Sequence, residues 1–189
     1  MTQQGKNAID LVLAESLIEL SAKKPIDKIT IKEITDKAGV IRPTFYNHFQ
    51  DKYELIEWII KSELLEPIKP LLNAGMIFEA IVLMLNNISA NSVFYKKALK
   101  LEGAVTFNQI AMKCVHEMFM NIINEKSTGK KSKYRWLTPE VISTYYAQSL
   151  CFITEGWIDQ GMDDIEPKEM AEAYMYLITR SMDDILSEL

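Results

Sequence analysis

The sequence predicts an all-α fold, a small N-terminal three-helix unit followed by a larger helical body. Three observations carry this. Apolar residues recur at helical spacing almost everywhere, and no strand-like alternation with hairpin turns is found. The 189 residues hold only 7 Gly and 6 Pro, too few for a loop-rich β-sandwich or a long disordered linker. Helix caps stand where the apolar stripes begin and end. The length suits one large domain or two small ones, and we divide it at residue 52, into 1–52 and 53–189.

The first helix is read from Ile9, Val12, Leu13, Leu17 and Leu20, one face of a 3.6-residue repeat, ending at Lys23-Lys24-Pro25. Thr30-Ile31-Lys32-Glu33 is a capping box and opens a short helix burying Ile31, Ile34 and Ala38. Gly39 stops it, because glycine tolerates the left-handed conformation. A second short helix runs from Arg42 to Phe49, with Phe45 and Phe49 facing inward. Pro43 suits its first turn but disfavours the α region for Arg42, which is therefore expected just outside the helix. Asp51 caps a third helix, with Glu54 at the capping-box position, running to about Glu66-Pro67. Further helices are expected over roughly 75–89, 92–101 and 107–125. A basic loop follows (Lys126, Lys130, Lys131, Lys133, Arg135), read as a solvated connection. Thr138-Pro139 opens a long helix through Trp157. Pro167 opens the last, whose face of Met170, Tyr174, Leu177, Ile178, Ser181, Met182 and Ile185 is read as one continuous helix.

The net charge of -5 speaks weakly against nucleic acid, but it is unevenly spread. Residues 1–52 hold 8 Lys/Arg and 7 Asp/Glu, a balance of +1, and the remainder carries -6. No apolar run is long enough to span a membrane, and the first six residues lack the build of a signal peptide. Cys114 and Cys151 sit in apolar stretches, which fits a reducing, cytoplasmic setting. Catalytic apparatus is not visible: no HExxH, no phosphate-cradling glycine loop and no Ser-His-Asp set. Cys114 and His116 lie two apart on a helix and face different ways, so no metal or other cofactor is expected.

After the Gly39 turn, Arg42, Thr44, Tyr46, Asn47 and His48 cluster on one short helix, with Lys52 one turn on. Guanidinium, hydroxyl, phenol, amide and imidazole together are donors for base edges and phosphates. The run Thr30-Ile31-x-x-Ile34-x-x-x-Ala38-Gly39-Val40-x-Arg42-Pro43-Thr44-Phe45-Tyr46-Asn47-His48-Phe49-x-Asp51-Lys52-x-x-Leu55 closely resembles the DNA-binding domain of the TetR/AcrR transcriptional regulators. The match covers roughly residues 8–56. It implies phosphate contacts from Thr30, Tyr46, His48 and Lys52, and from Thr44 a phosphate or thymine-methyl contact. Arg42 is the implied base reader, with Lys32 and Asn47 as further readers and Pro43 on the same edge. Two positions depart from the family pattern. Ile41 stands where a small polar residue is usual, which removes a helix cap, and Pro43 stands where glycine is commoner.

The resemblance implies a regulator that binds a near-palindromic operator on double-stranded DNA as a homodimer, a repressor released by a small-molecule effector. Methionines and aromatics of the body suggest the effector pocket: Met112, His116, Phe119, Tyr145, Phe152 and Trp157. Tyr146, Ile153, Tyr174, Leu177, Ile178 and Met182, on the last two helices, are the expected dimer interface. Residues Thr44 to Ile59 also resemble a subset of the family that includes the activators of dihydroxyacetone-kinase operons. That subset implies an activator governed by a protein coregulator instead. An aliphatic interior with an exposed apolar patch would favour the coregulator, and a polar-lined cavity the small molecule.

Overall fold

The computed structural model describes residues 3–102, 105–126 and 133–188. Among them every regular element is helical. The first unit is α1 (Gln3–Ser21), a 3₁₀ turn (Ile26–Lys28), α2 (Ile31–Ala38), α3 (Arg42–Tyr46) and α4 (Lys52–Ile59). A π-helical stretch, Ile60–Leu65, continues α4 into the body. There follow α5 (Lys69–Asn73), α6 (Ile77–Ala90), α7 (Ser92–Ala98), α8 (Phe107–Lys126), α9 (Pro139–Asp159), α10 (Pro167–Thr179) and α11 (Met182–Glu188).

Local chemistry explains most boundaries. The Thr30 hydroxyl accepts the Glu33 N–H, while the Glu33 carboxylate accepts the Thr30 N–H, so the capping box closes in both directions. Gly39 ends α2 with φ 68°, in the left-handed region. Asp51 accepts the N–H groups of Tyr53 and Glu54. Here the expected box is altered, because the Glu54 carboxylate reaches back to the N–H of Gln50 instead of Asp51. The Thr138 hydroxyl caps α9 at Val141, and Pro167 starts α10.

Four expectations about elements need correction. Arg42 lies inside α3, with Ile41 as the uncapped N-terminal residue. The Thr44 N–H bonds the Ile41 carbonyl at 2.9 Å, which outweighs the restriction from Pro43. On α1 the buried stripe is Leu13, Ala14, Ser16, Leu17 and Ser21, while Val12 faces out. The two serines tolerate burial because each hydroxyl donates to a carbonyl of its own helix, Ser16 to Val12 and Ser21 to Ile18. The last helix is broken: Arg180 is extended, and Ser181 opens α11. Ser181 and Asp184 exchange side-chain and backbone hydrogen bonds, a second capping box inside an unbroken apolar periodicity. Finally, α5 fills a stretch read as a connection, Pro70 standing in its first turn. Lys130 and Lys131 of the basic loop lie outside the described residues. Lys126 belongs to α8 and donates to the Leu72 carbonyl at 2.8 Å.

One buried apolar cluster runs from α1 to α10. Phe45 is fully buried, with the Phe49 ring tilted against it and Trp58 edge-on to Phe49. Burying such a side chain contributes roughly 1.5–3 kcal/mol. The α4 helix packs on α1 and on α8, so it joins the first unit to the body. In the body α8 pairs with α9, and α10 lies against α6 as well as α9.

Candidate nucleic-acid interface

The outer edge of α2 and α3 carries the polar side chains. Lys32, Arg42, Pro43 and Asn47 are exposed, and Tyr46 is 55% exposed. Thr44 is half-buried. The side chains of Lys32 and Arg42 have no ion pair or hydrogen bond among the described residues. Their cations are therefore available to an external anion or base edge. Phe45 turns inward and packs edge-on against the Tyr46 ring, which fixes that ring from below. Thr30 is exposed, but its hydroxyl already donates to Glu33 at 2.8 Å while capping α2. Glu33 is in turn paired with Lys24 at 2.5 Å. That cation, with the two bonds from Thr30, holds the Glu33 carboxyl down to about 2.

Two expected phosphate contacts are corrected. The His48 side chain is only 2% exposed, and its Nδ1 lies 2.6 Å from the Asp10 carboxylate of α1. It is a tether between α3's C-terminal turn and α1, not a donor presented to solvent. Its Nε2 is buried with no partner. Lys52 also turns inward: its ammonium donates to the carbonyls of Ile26, Asp27 and Ile29 at 3.0, 2.7 and 3.2 Å. An ammonium has three protons, so its donor capacity is spent on the loop between α1 and α2. Burial there lowers the Lys52 pKa. A further tie, Lys37 to Glu19, also links α2 to α1. Asp10 escaped the sequence reading, since nothing local marks one acid on a helix as a partner for a histidine 38 residues away.

Behind this edge, α4 is fixed to α8 by charge. Lys61 bridges Glu57 and Glu117 at 2.7 and 2.8 Å, and Lys113 reaches Glu57 at 2.8 Å. Burial opposes ionisation of Glu57, but the two lysines outweigh it and hold its carboxyl below the usual range. Next to this network Cys114 is buried, which pushes its thiol up to about 12.

The body contains a small cavity of about 50 Å³, lined from α4's π-helical stretch, α6, α7, α8 and α9. None of the six side chains expected to form a pocket lines it. Trp157 is core, its indole donating to the Ile165 carbonyl at 2.9 Å. Phe152 is 75% exposed and Tyr145 is exposed. Met112 borders a shallow outer groove with Phe152, while His116 and Phe119 are half-buried on α8. The reason is helical phase. Leu150, Cys151 and Thr154 turn inward on α9, and Ala111 and Val115 on α8, which places Tyr145 and Phe152 outside. Of the residues expected to meet a partner, Tyr174 is corrected: it is 3% exposed and accepts a hydrogen bond from Ser149 at 3.3 Å. Tyr146, Leu177 and Met182 are exposed, and Ile153 and Ile178 half-buried.

This chain belongs to the TetR family of bacterial regulatory proteins. The family's DNA-binding model matches residues 15–59, and a transcriptional-regulator C-terminal region matches residues 76–180. It is thus a DNA-binding transcriptional regulator and not an enzyme. Among curated proteins it is similar to the HTH-type dhaKLM operon transcriptional activator DhaS of Lactococcus lactis, 26% identical over 152 residues that cover 79% of each chain. The solved dihydroxyacetone kinase operon activator DhaS shares the fold, at 21% identity and a TM-score of 0.63, over 90% of this chain and 93% of that one. So does NalD of Pseudomonas aeruginosa, the secondary repressor of the MexAB-OprM multidrug efflux pump. There the identity is 13% and the TM-score 0.57, over 92% and 96% of the chains. No single helix among the described residues is long and apolar enough to cross a membrane.

Proposed function

We propose that this regulator acts in the cytoplasm as a homodimer on a near-palindromic operator. In this reading residues 1–52 hold the DNA and 53–189 serve dimerisation and control. The observation that carries it is the exposed, unpaired row of Lys32, Arg42, Tyr46 and Asn47 at the α2–α3 edge. Arg42 reads a base, where its planar fork matches guanine O6 and N7, and Tyr46 and Thr44 contact phosphate. Thr30 joins them only by sharing its hydroxyl with Glu33. Leu177 and Met182, with Tyr146 and the half-buried Ile153 and Ile178, supply the apolar face for a second copy. Two α3 helices would then enter successive major grooves roughly 34–36 Å apart.

Control by an effector in the body is the first reading, with release of a repressor as its outcome; its support is the pair of unpartnered hydroxyls, Tyr95 and Thr154, in an otherwise aliphatic wall. Filling the cavity beside the π-helical stretch would move α4, and with it the paired heads. The protein-controlled activator remains a second reading. Its support is the similarity to the dhaKLM activator and the apolar side chains exposed at Trp136, Tyr145 and Phe152.

Selection of bound duplexes from a random DNA pool, using the purified full chain, tests the reading. A two-fold related consensus is expected. Arg42→Ala should weaken binding to that consensus by about 10- to 100-fold and relax one base position in each half-site. A pool that returns no consensus, or an Arg42→Ala chain with unchanged preference, would refute it. Transcription from the selected site in the presence and absence of the protein gives the sign of regulation.

A further inference from the structure

We infer that the body cavity is a receptor for a small uncharged molecule with an apolar frame and one hydroxyl or carbonyl oxygen, which Tyr95 and Thr154 bind by hydrogen bonds. The inference deepens the effector reading above and rests on it. Most of the wall is aliphatic, with Ile60, Leu64, Met84, Ile88, Val115 and Leu150. Tyr95 and Thr154 stand in the same wall, and both hydroxyls are buried without a hydrogen-bond partner. Tyr95 is 1% exposed. An unpaired buried hydroxyl is costly, and a ligand oxygen gives a partner to two such side chains standing in one wall. A hydroxyl or carbonyl oxygen does so, because each side-chain hydroxyl can donate and accept.

Charge selects against anions. No Lys, Arg or His lines the cavity, and its one ionisable carboxyl, Glu155, would repel a negative ligand. Glu155 is occupied, since it accepts a hydrogen bond from Asn108 across the α8–α9 seam. Asn108, Cys151 and Glu155 also border the outer groove, which holds about 220 Å³ beside Met112 and Phe152. The Asn108–Glu155 contact therefore stands where the inner space adjoins the groove. Size follows from the two volumes. The inner space of about 50 Å³ takes one or two non-hydrogen atoms, at about 30 Å³ for a water. The groove provides room for the rest of a single ring.

Cyclohexanol, cyclohexanone and cyclohexanecarboxylate are suitable probes of equal frame. They are titrated into the full chain by calorimetry, with ¹³C-methyl methionine spectra to locate the site through Met84. One cyclohexanol or cyclohexanone should bind per chain with a shift of the Met84 methyl, and the carboxylate at least about 30-fold more weakly. Tyr95→Phe and Thr154→Val should each lower cyclohexanol affinity about 10-fold. Their thermal midpoints should equal or exceed that of the parent, because each removes an unpaired polar group and leaves the shape intact. The inference is overturned if no probe saturates, as for a cavity that takes water alone. It is also overturned if the carboxylate binds as well as the alcohol, if Met84 is unmoved, or if both substitutions keep full affinity. A chain that selects an operator but binds no probe refutes this inference alone. One that binds the probes but selects no duplex refutes the operator reading and supports the receptor site.

Discussion

Replacing Asp10 tests whether His48 holds α3 in place. Among the described residues Asp10 Oδ1 is the only hydrogen-bond partner of the His48 ring, at 2.6 Å, and Nε2 of the same ring is already unpaired. In Asp10→Ala both ring nitrogens are left without partners inside a site where the imidazole is 2% exposed. A hydrogen bond to a charged group contributes about 1.5–3 kcal/mol, and little water can replace it here. For a chain of this length a loss of 1 kcal/mol lowers the midpoint by about 2–4 °C, so the variant should melt about 3–12 °C lower. Asp10→Asn keeps an acceptor oxygen without the charge and should lie between the two. Heat and urea unfolding of the full chain, followed by circular dichroism, measures both. Amide exchange gives a local readout at Phe49, whose N–H bonds the Phe45 carbonyl at 2.8 Å and should lose protection in Asp10→Ala. An Asp10→Ala chain within about 0.5 kcal/mol of the parent, or Asn no better than Ala, would refute the tether.

Lys52→Met keeps the aliphatic stem and removes three donors from the carbonyls of Ile26, Asp27 and Ile29. Since the site is partly open to water, a loss of about 2–3 kcal/mol is expected in chemical denaturation. If instead stability is kept and only the salt dependence of DNA binding falls, Lys52 is a phosphate contact after all. Glu33 makes stability acid-sensitive. Its folded-state value of about 2 lies below the unfolded value near 4.5. The contribution is therefore complete above about pH 4.5 and disappears as pH falls toward 2. Glu33→Gln should flatten the stability profile in that window, and an unchanged slope would show that the capping carboxylate carries none of it.

Residues whose partners are near in sequence were legible. Thr30 with Glu33, Gly39, Asp51 with Tyr53 and Thr138 with Val141 each act within four positions, so their spacing alone places the helix ends. The inward phenylalanines of the helix-turn-helix were legible for the same reason. His48 and Lys52 were not, because their partners lie 38 and about 25 residues away and are reached only once α1 packs on α4. Their inward orientation is a tertiary fact. The pocket failed for a related reason. On α9 both the face of Phe152 and the face of Leu150, Cys151 and Thr154 offer apolar residues, and the packing of α8 decides which is covered. Size misled as well, since Tyr145 and Phe152 took the outer face while Trp157 went into the core away from the cavity. The break at Ser181 was present in the sequence as Ser-x-x-Asp, but the continuing apolar repeat concealed it.

The π-helical stretch after α4 sets a rule for changes in chain length. Its wider turn, with the Glu66 N–H bonded to the Lys61 carbonyl, accommodates one residue more than an α-helix would over the same span. Removing one residue there, such as Ser62, would tighten the turn to α geometry while the flanking faces kept their bearing. The same deletion within Lys52–Ile59 would swing everything beyond it by about 100° around the axis. Relatives that differ in length by a single residue between head and body are therefore expected to place the gap at Ile60–Leu65, where heredity can lengthen or shorten the connecting rod without turning the hand that grips the DNA.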